Sequence, residues 1–149
     1  MKKICFVIAS RANYGRVKSV VFEFKKSKKY KVQIVLAASS LLERYGDLRK
    51  TLSSDGLKVD REGFLVVEGE SPLTMTKSTG LAIIELSSIF NNLKPDVVVT
   101  VGDRYETIAT AIAASYMNIT LAHIQGGEIT GSIDESVRHA ITKLSHIHF

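Results

Sequence analysis

The residues that could do chemistry gather in one stretch, His123 to His139, which reads HIQGGEITGSIDESVRH. Gly126, Gly127 and Gly131 make it a permissive loop directly after an apolar run. Glu128 is an acid inside that loop, and Asp134 follows where a helical pattern begins. Another acid, Asp103, comes just after Gly102 at the end of the run DVVVTV. Carboxylates brought to one edge can share general acid and general base work, each tuned by burial and by its neighbours. Arg11 directly follows the first apolar run, and its planar fork of donors can clamp a phosphate or a carboxylate.

Most of these residues also have a plainer role. Arg11 could equally pair with a carboxylate of a neighbouring loop. Asp103 suits the N-cap of the next helix, and position alone favours that role. Ser132 to Glu135 fits the S-x-x-E capping box, which accounts for Glu135. Asp134 lies one turn before Arg138, the spacing of a helical ion pair. Glu128 is harder to explain structurally. His123, His139, His146 and His148 do not follow zinc-ligand spacing, so no metal is expected. No G-x-G-x-x-G follows the first apolar run and no G-x-x-x-x-G-K-[ST] occurs. That argues against a dinucleotide fold of the usual type and against a P-loop NTPase.

The elements that must position these residues alternate regularly. Ile4–Ala9, Val32–Ala37, Asp96–Val101 and Ile119–Ile124 are continuous apolar runs of strand length, and a short third strand is expected over 64–67. Between them, helical spacing appears at Tyr14, Val17, Val20, Val21 and Phe24, over 75–93, at Tyr105, Ile108, Ala109, Ile112 and Tyr116, and from Ser132 to about Leu144. Residues 41–57 read as helical in pieces, broken at Gly46 and Gly56, and 69–74 read as a loop. His146–Phe149 looks like a strand just starting. Alternating strands and helices with unbroken apolar strands imply an α/β parallel sheet covered on both faces, with right-handed crossovers. Ligands in such sheets bind beyond the carboxyl ends of the strands. That rule collects the loops after Ala9, Ala37, Val101 and Ile124 on one edge.

A chain of 149 residues, 45% hydrophobic and 23% charged, fits one globular domain and excludes a disordered or low-complexity chain. The net charge of +5 gathers around Lys25, Lys26, Lys28, Lys29 and Lys31. Cations at a helix C-terminus complement its dipole, so no nucleic-acid partner is expected. No apolar run approaches the roughly 20 residues that cross a bilayer. The lone Cys5 in an apolar run suits a reducing compartment, and a cytoplasmic location is expected. The chain stops on apolar Ile147 and Phe149 in mid-pattern, as a piece of a longer protein would. Apolar surface exposed by such a truncation could drive self-association into a homo-oligomer.

Ser10–Gly15 (SRANYG), Val101–Glu106 (VGDRYE) and the long motif from His123 to His146 resemble the hydrolysing UDP-N-acetylglucosamine 2-epimerases, in their sialic- and legionaminic-acid branch. The resemblance spans the chain in order. It implies a Rossmann-like N-terminal domain, half of a two-domain architecture of the glycosyltransferase-B type, with a C-terminal nucleotide-binding domain outside this chain. It implies conversion of UDP-N-acetylglucosamine and water to N-acetylmannosamine and UDP, by anti elimination to a 2-acetamidoglucal and addition of water with inversion at C2. No cofactor is implied. The resemblance matches Asp103 and Asp134 to catalytic candidates, Arg11 to the family's arginine near the diphosphate and Arg138 to the arginine of its last motif. Glu128 joins the catalytic candidates, and Gln125, Arg138 and His139 join Arg11 as expected substrate-binding residues. Gln125 stands where many relatives have Glu, so either Glu128 does the acid–base work, or Gln125 only binds, or activity is weak. The loop Ala37-Ala38-Ser39-Ser40 also departs from the pattern, which leaves open a UDP-2,4-diacetamido sugar as substrate. A related glycosyltransferase, a non-hydrolysing epimerase and a non-catalytic Rossmann-like module are the other expectations. The chain alone is expected to be inactive.

Overall fold

A computed structural model describes residues 1–149. The strands are β1 (Lys2–Ile8), β2 (Tyr30–Ala37), β3 (Arg61–Gly63), β4 (Val97–Val101), β5 (Thr120–Ile124) and β6 (Ile147–His148). The helices are α1 (Arg11–Lys26), α2 (Leu48–Ser54), α3 (Pro72–Leu93), α4 (Tyr105–Tyr116) and α5 (Ile133–Leu144). The strands form one sheet in the order β3-β2-β1-β4-β5-β6, and every pair is parallel. The chain therefore winds outward from β1 to β3, then crosses back to β4 and winds the other way. The strand order reverses between β1 and β4, and there the loops diverge and leave a crevice.

Alternate residues of each strand feed two cores. Cys5, Val7, Val35, Val98 and Leu121 pack with Leu86 and Phe90 of α3, Ala109 and Ala113 of α4, and Ile141 of α5. Ile4, Phe6, Ile8, Ile34, Leu36 and Val99 pack on the other face with Tyr14, Val17 and Val21 of α1 and Leu48 and Leu52 of α2. Burial on both faces is why these strands read as continuous apolar runs.

Local chemistry sets the helix ends. The Ser10 hydroxyl accepts from Asn13 N at 3.1 Å and Asn13 Oδ1 accepts from Ala9 N at 3.2 Å, which locks the turn between β1 and α1. Lys25 and Lys26 end α1 as expected. Ser71 and Thr74 cap each other reciprocally and Pro72 takes the first helical position, so α3 starts inside the stretch expected to be a loop. Lys94 ends α3 in the left-handed region, and Pro95 follows. The pieces expected over 41–57 are two 3₁₀ turns, Ala38–Leu41 and Glu43–Tyr45, followed by α2. Gly46 (φ +90°) and Gly56 (φ +69°) make the two breaks.

The third strand is displaced from its expected position. Asp60 grips Ile34 twice, its N donating to Ile34 O and its carboxylate accepting from Ile34 N, both at 2.8 Å. That register starts the ladder at Arg61 and finishes it at Gly63. Leu65 enters the core from irregular backbone, while Phe64 faces solvent. The expected last strand is present as β6, with Phe149 N donating to His123 O and Gln125 N to Phe149 O. No helix is long and apolar enough to cross a membrane.

Candidate functional site

The crevice between β1 and β4 holds a polar cavity of about 350 Å³. Ser10 and Asn13 from the first turn, Arg16 from α1, Gly102, Asp103 and Arg104 after β4, Glu106 and Thr107 of α4, and Gln125 after β5 line it. A second cleft of about 250 Å³ opens beside it along the same edge, between the 3₁₀ turns and the start of α3, and Arg104 borders both.

Asp103 does not cap α4. Arg104 occupies the N-cap position with no side-chain bond, and the Asp103 carboxylate turns to Arg138 instead. Arg138 Nε donates to Asp103 Oδ2 at 3.0 Å and Nη2 donates to the same oxygen. Nη1 donates to the Glu128 carbonyl and Nη2 also reaches Thr130 Oγ1 at 3.3 Å. The Arg138 side chain is 3% exposed and that of Asp103 27%. A charge-assisted bond to a buried guanidinium outweighs a cap hydrogen bond, which is why the cap is not made. Arg138 is thus a strut from α5 to the β4 loop and the glycine loop.

The expected helical ion pair between Asp134 and Arg138 is accordingly absent, because Arg138 turns inward and Asp134 stays exposed. Ser132 is at the N-cap of α5 without a side-chain bond. Glu135 reaches back past it to Thr130 N at 2.8 Å and Gly131 N at 2.5 Å, and these bonds hold its carboxyl below the usual range. Glu128 is exposed and lies outside the cavity lining, and His139 is exposed on α5. Arg11 belongs to no ion pair, which removes its plainer role. Its guanidinium lies against Gly46, where an added Cβ would stand 3.0 Å from Arg11 Cζ.

Gln125 is held at φ +70°, a conformation that non-glycine residues rarely adopt and that clusters at functional sites. His123 is fully buried on β5, and its Nε2 donates to Gly102 O at 2.7 Å. Burial is the main force keeping its imidazole neutral, so this bond ties β5 to the turn that carries Asp103. No cluster of three or more His, Cys, Asp or Glu is arranged to hold a metal ion.

Glu106 is the residue that sequence reasoning missed. Its residue is 4% exposed in the first turn of α4, with Oε1 3.4 Å from Arg104 Nε and Oε2 bonded to nothing. Burial raises its pKa first of all; Arg104 opposes this, and Asp134 and Asp103 reinforce it. The signal lay in the motif VGDRYE, three residues beyond Asp103.

Residues 23–149 match the family described as UDP-N-acetylglucosamine 2-epimerase. The chain belongs to that family. It is 36% identical over 149 residues to the GDP/UDP-N,N'-diacetylbacillosamine 2-epimerase (hydrolyzing) of Campylobacter jejuni, covering 99% of this chain and 38% of that protein. It is 35% identical to the UDP-N,N'-diacetylbacillosamine 2-epimerase (hydrolyzing) of Legionella pneumophila, covering all of this chain and 40% of that protein. The crystal structure of the UDP-GlcNAc 2-epimerase of Neisseria meningitidis bound to UDP-GlcNAc superposes with a TM-score of 0.84 at 25% identity, over 99% of this chain and 40% of that one. The epimerase-family chain thus spans about two-fifths of the relatives it matches. Its parallel sheet is one half of their glycosyltransferase-B-like architecture.

Proposed function

We propose that the full-length protein is a hydrolysing UDP-sugar 2-epimerase, which converts UDP-N-acetylglucosamine and water to N-acetylmannosamine and UDP in nonulosonic acid synthesis. In this proposal residues 1–149 form the N-terminal wall of the site, and a C-terminal domain beyond them supplies most of the nucleotide contacts. One observation carries it: Asp103, fixed by Arg138, lines a polar cavity at the reversal point of the sheet. Elimination needs a base at C2, a cation at the leaving diphosphate and positioned groups for water. Asp103 is the base, its Oδ1 being free of hydrogen bonds while Oδ2 is held. Arg11, belonging to no ion pair, meets the diphosphate. Gln125 and His139 contact the substrate, and Arg138 and Asp134 frame that base. Glu128 contributes its carbonyl to the Arg138 strut. No cofactor takes part, and the enzyme works in the cytoplasm.

A second substrate, a UDP-2,4-diacetamido sugar, is supported by the two relatives at 36% and 35% identity, against 28% over 148 residues for a UDP-N-acetylglucosamine 2-epimerase of Neisseria meningitidis. The second cleft beside the cavity gives an extra substituent room. Separate incubations of the full-length enzyme with each sugar nucleotide, followed by NMR, decide between them. Free 2-epimeric sugar with UDP from one of the two supports the proposal. A UDP-linked product without free UDP, or transfer to an acceptor, refutes it. Half a cleft neither excludes water nor encloses a ligand, so residues 1–149 alone give no turnover.

A further inference from the structure

Inversion at C2 by elimination and addition requires two proton-exchanging groups. One removes a proton from one face of the sugar, and another returns a proton to the opposite face. The cavity lining supplies two carboxyl groups for this, Asp103 and Glu106. Gln125 lines the same cavity, but its amide does not exchange a proton at neutral pH. Glu128 is exposed and outside the lining.

We propose that Glu106 is the second catalytic group of the site, the acid that returns a proton to C2. This rests on the hydrolysing-epimerase proposal. The geometry supports it twice over. The Glu106 carboxyl is almost wholly buried yet borders the cavity, and Oε2 has no partner anywhere in the chain. Buried polar atoms are nearly always bonded, and a carboxyl oxygen left unbonded in a residue that borders a cavity is one mark of a catalytic group. Burial also favours the neutral acid, the form that can donate. The charged and titratable groups that face it are Arg104 beside Oε1, Asp103 after β4, Asp134 at the start of α5 and Tyr105, with Arg16 of α1 across the cavity.

The steps balance. Asp103 Oδ1 takes the C2 proton, the C2–H electron pair becomes the C1–C2 double bond, and the C1–O pair leaves with the diphosphate. The double-bond pair then takes the carboxyl proton of Glu106 at C2 while the oxygen of water bonds to C1. The proton shed by that water restores the Glu106 acid, and Asp103 returns its proton to solvent.

The test uses the full-length enzyme and UDP-N-acetylglucosamine or the diacetamido nucleotide, whichever the wild type turns over, read by proton NMR. Glu106→Gln should lower free-sugar formation on the order of 10²–10⁴-fold with KM little changed, and should release the unsaturated glycal together with UDP. The kcat–pH limb belonging to this acid should vanish. Glu106→Asp keeps the acid but shortens its reach; it should lose about 10–10²-fold in kcat and serves as the test if the amide variant does not fold. Unchanged free-sugar formation in these variants overturns the proposal, as does a loss confined to Glu128→Gln. Wild-type enzyme that makes no free sugar refutes the parent proposal instead, and the role given to Glu106 falls with it.

Discussion

Removing Asp103 should destabilise the fold more than removing its partner Arg138, although the two share one ion pair. Asp103→Ala leaves a guanidinium, 3% exposed, with only the Glu128 carbonyl and Thr130 Oγ1 as acceptors. Stranding a buried charge costs about 3–5 kcal/mol. Arg138→Met keeps the apolar stem in place and leaves behind a carboxylate that is 27% exposed and can be rehydrated. Its cost should be about 1–2 kcal/mol, near that of one lost charge-assisted hydrogen bond. The double variant should cost no more than Asp103→Ala alone, because the stranded cation is gone, so the pair should couple by about 1–3 kcal/mol. Urea unfolding of residues 1–149 followed by circular dichroism measures all three, and each kcal/mol should move Tm by about 2–4 °C. Equal costs, a larger loss at Arg138→Met or additive costs in the double variant would falsify the strut. The asymmetry also means that lost turnover in Asp103 variants must be compared at matched folded fraction.

Other outcomes follow from single residues. The His123 imidazole is held neutral chiefly by burial, below its ordinary value near 6.5. The unfolded chain therefore binds the extra proton, and stability should be full above about pH 6.5 and fall as pH drops below it; His123→Gln should flatten that part of a urea-midpoint profile. Glu106 acts in the opposite sense, because its folded pKa lies above 4.5. Its contribution should be lost as pH rises from 4.5 through the raised value, and Glu106→Gln should remove that slope. Gln125→Gly relieves the left-handed backbone, so it should raise stability by up to about 1 kcal/mol in thermal melts while lowering kcat of the full-length enzyme. Leu86→Ala, at a fully buried position on the core face of α3, should cost about 2–5 kcal/mol in the same urea assay.

The sheet was legible because its signal is local. Runs such as Val97–Val101 need no partner to be recognised, and burial on both faces is written in their composition. The third strand was misplaced because its register depends on Asp60 gripping Ile34, a contact between residues far apart in sequence. The site was legible as an edge: the carboxyl ends of β1, β4 and β5 brought Ser10, Asp103 and Gln125 around one cavity. Side-chain partners were not legible. Asp103 looked like a cap and Arg138 like the mate of Asp134, because local spacing shows neighbours along a helix and not across a sheet. Glu106 drew no reading beyond its place at the end of VGDRYE, since an acid in a helix's first turn already suits the dipole. Its burial exists only once α4 is packed beside β4 and Arg104.

Proton NMR of the full-length protein in D2O with its sugar nucleotide decides the proposed hydrolysing 2-epimerase activity. Free 2-epimeric sugar and UDP should form in equal amounts, with deuterium at C2 of the product. A free sugar that keeps its original C2 hydrogen, or an epimerised sugar still joined to UDP, would contradict it.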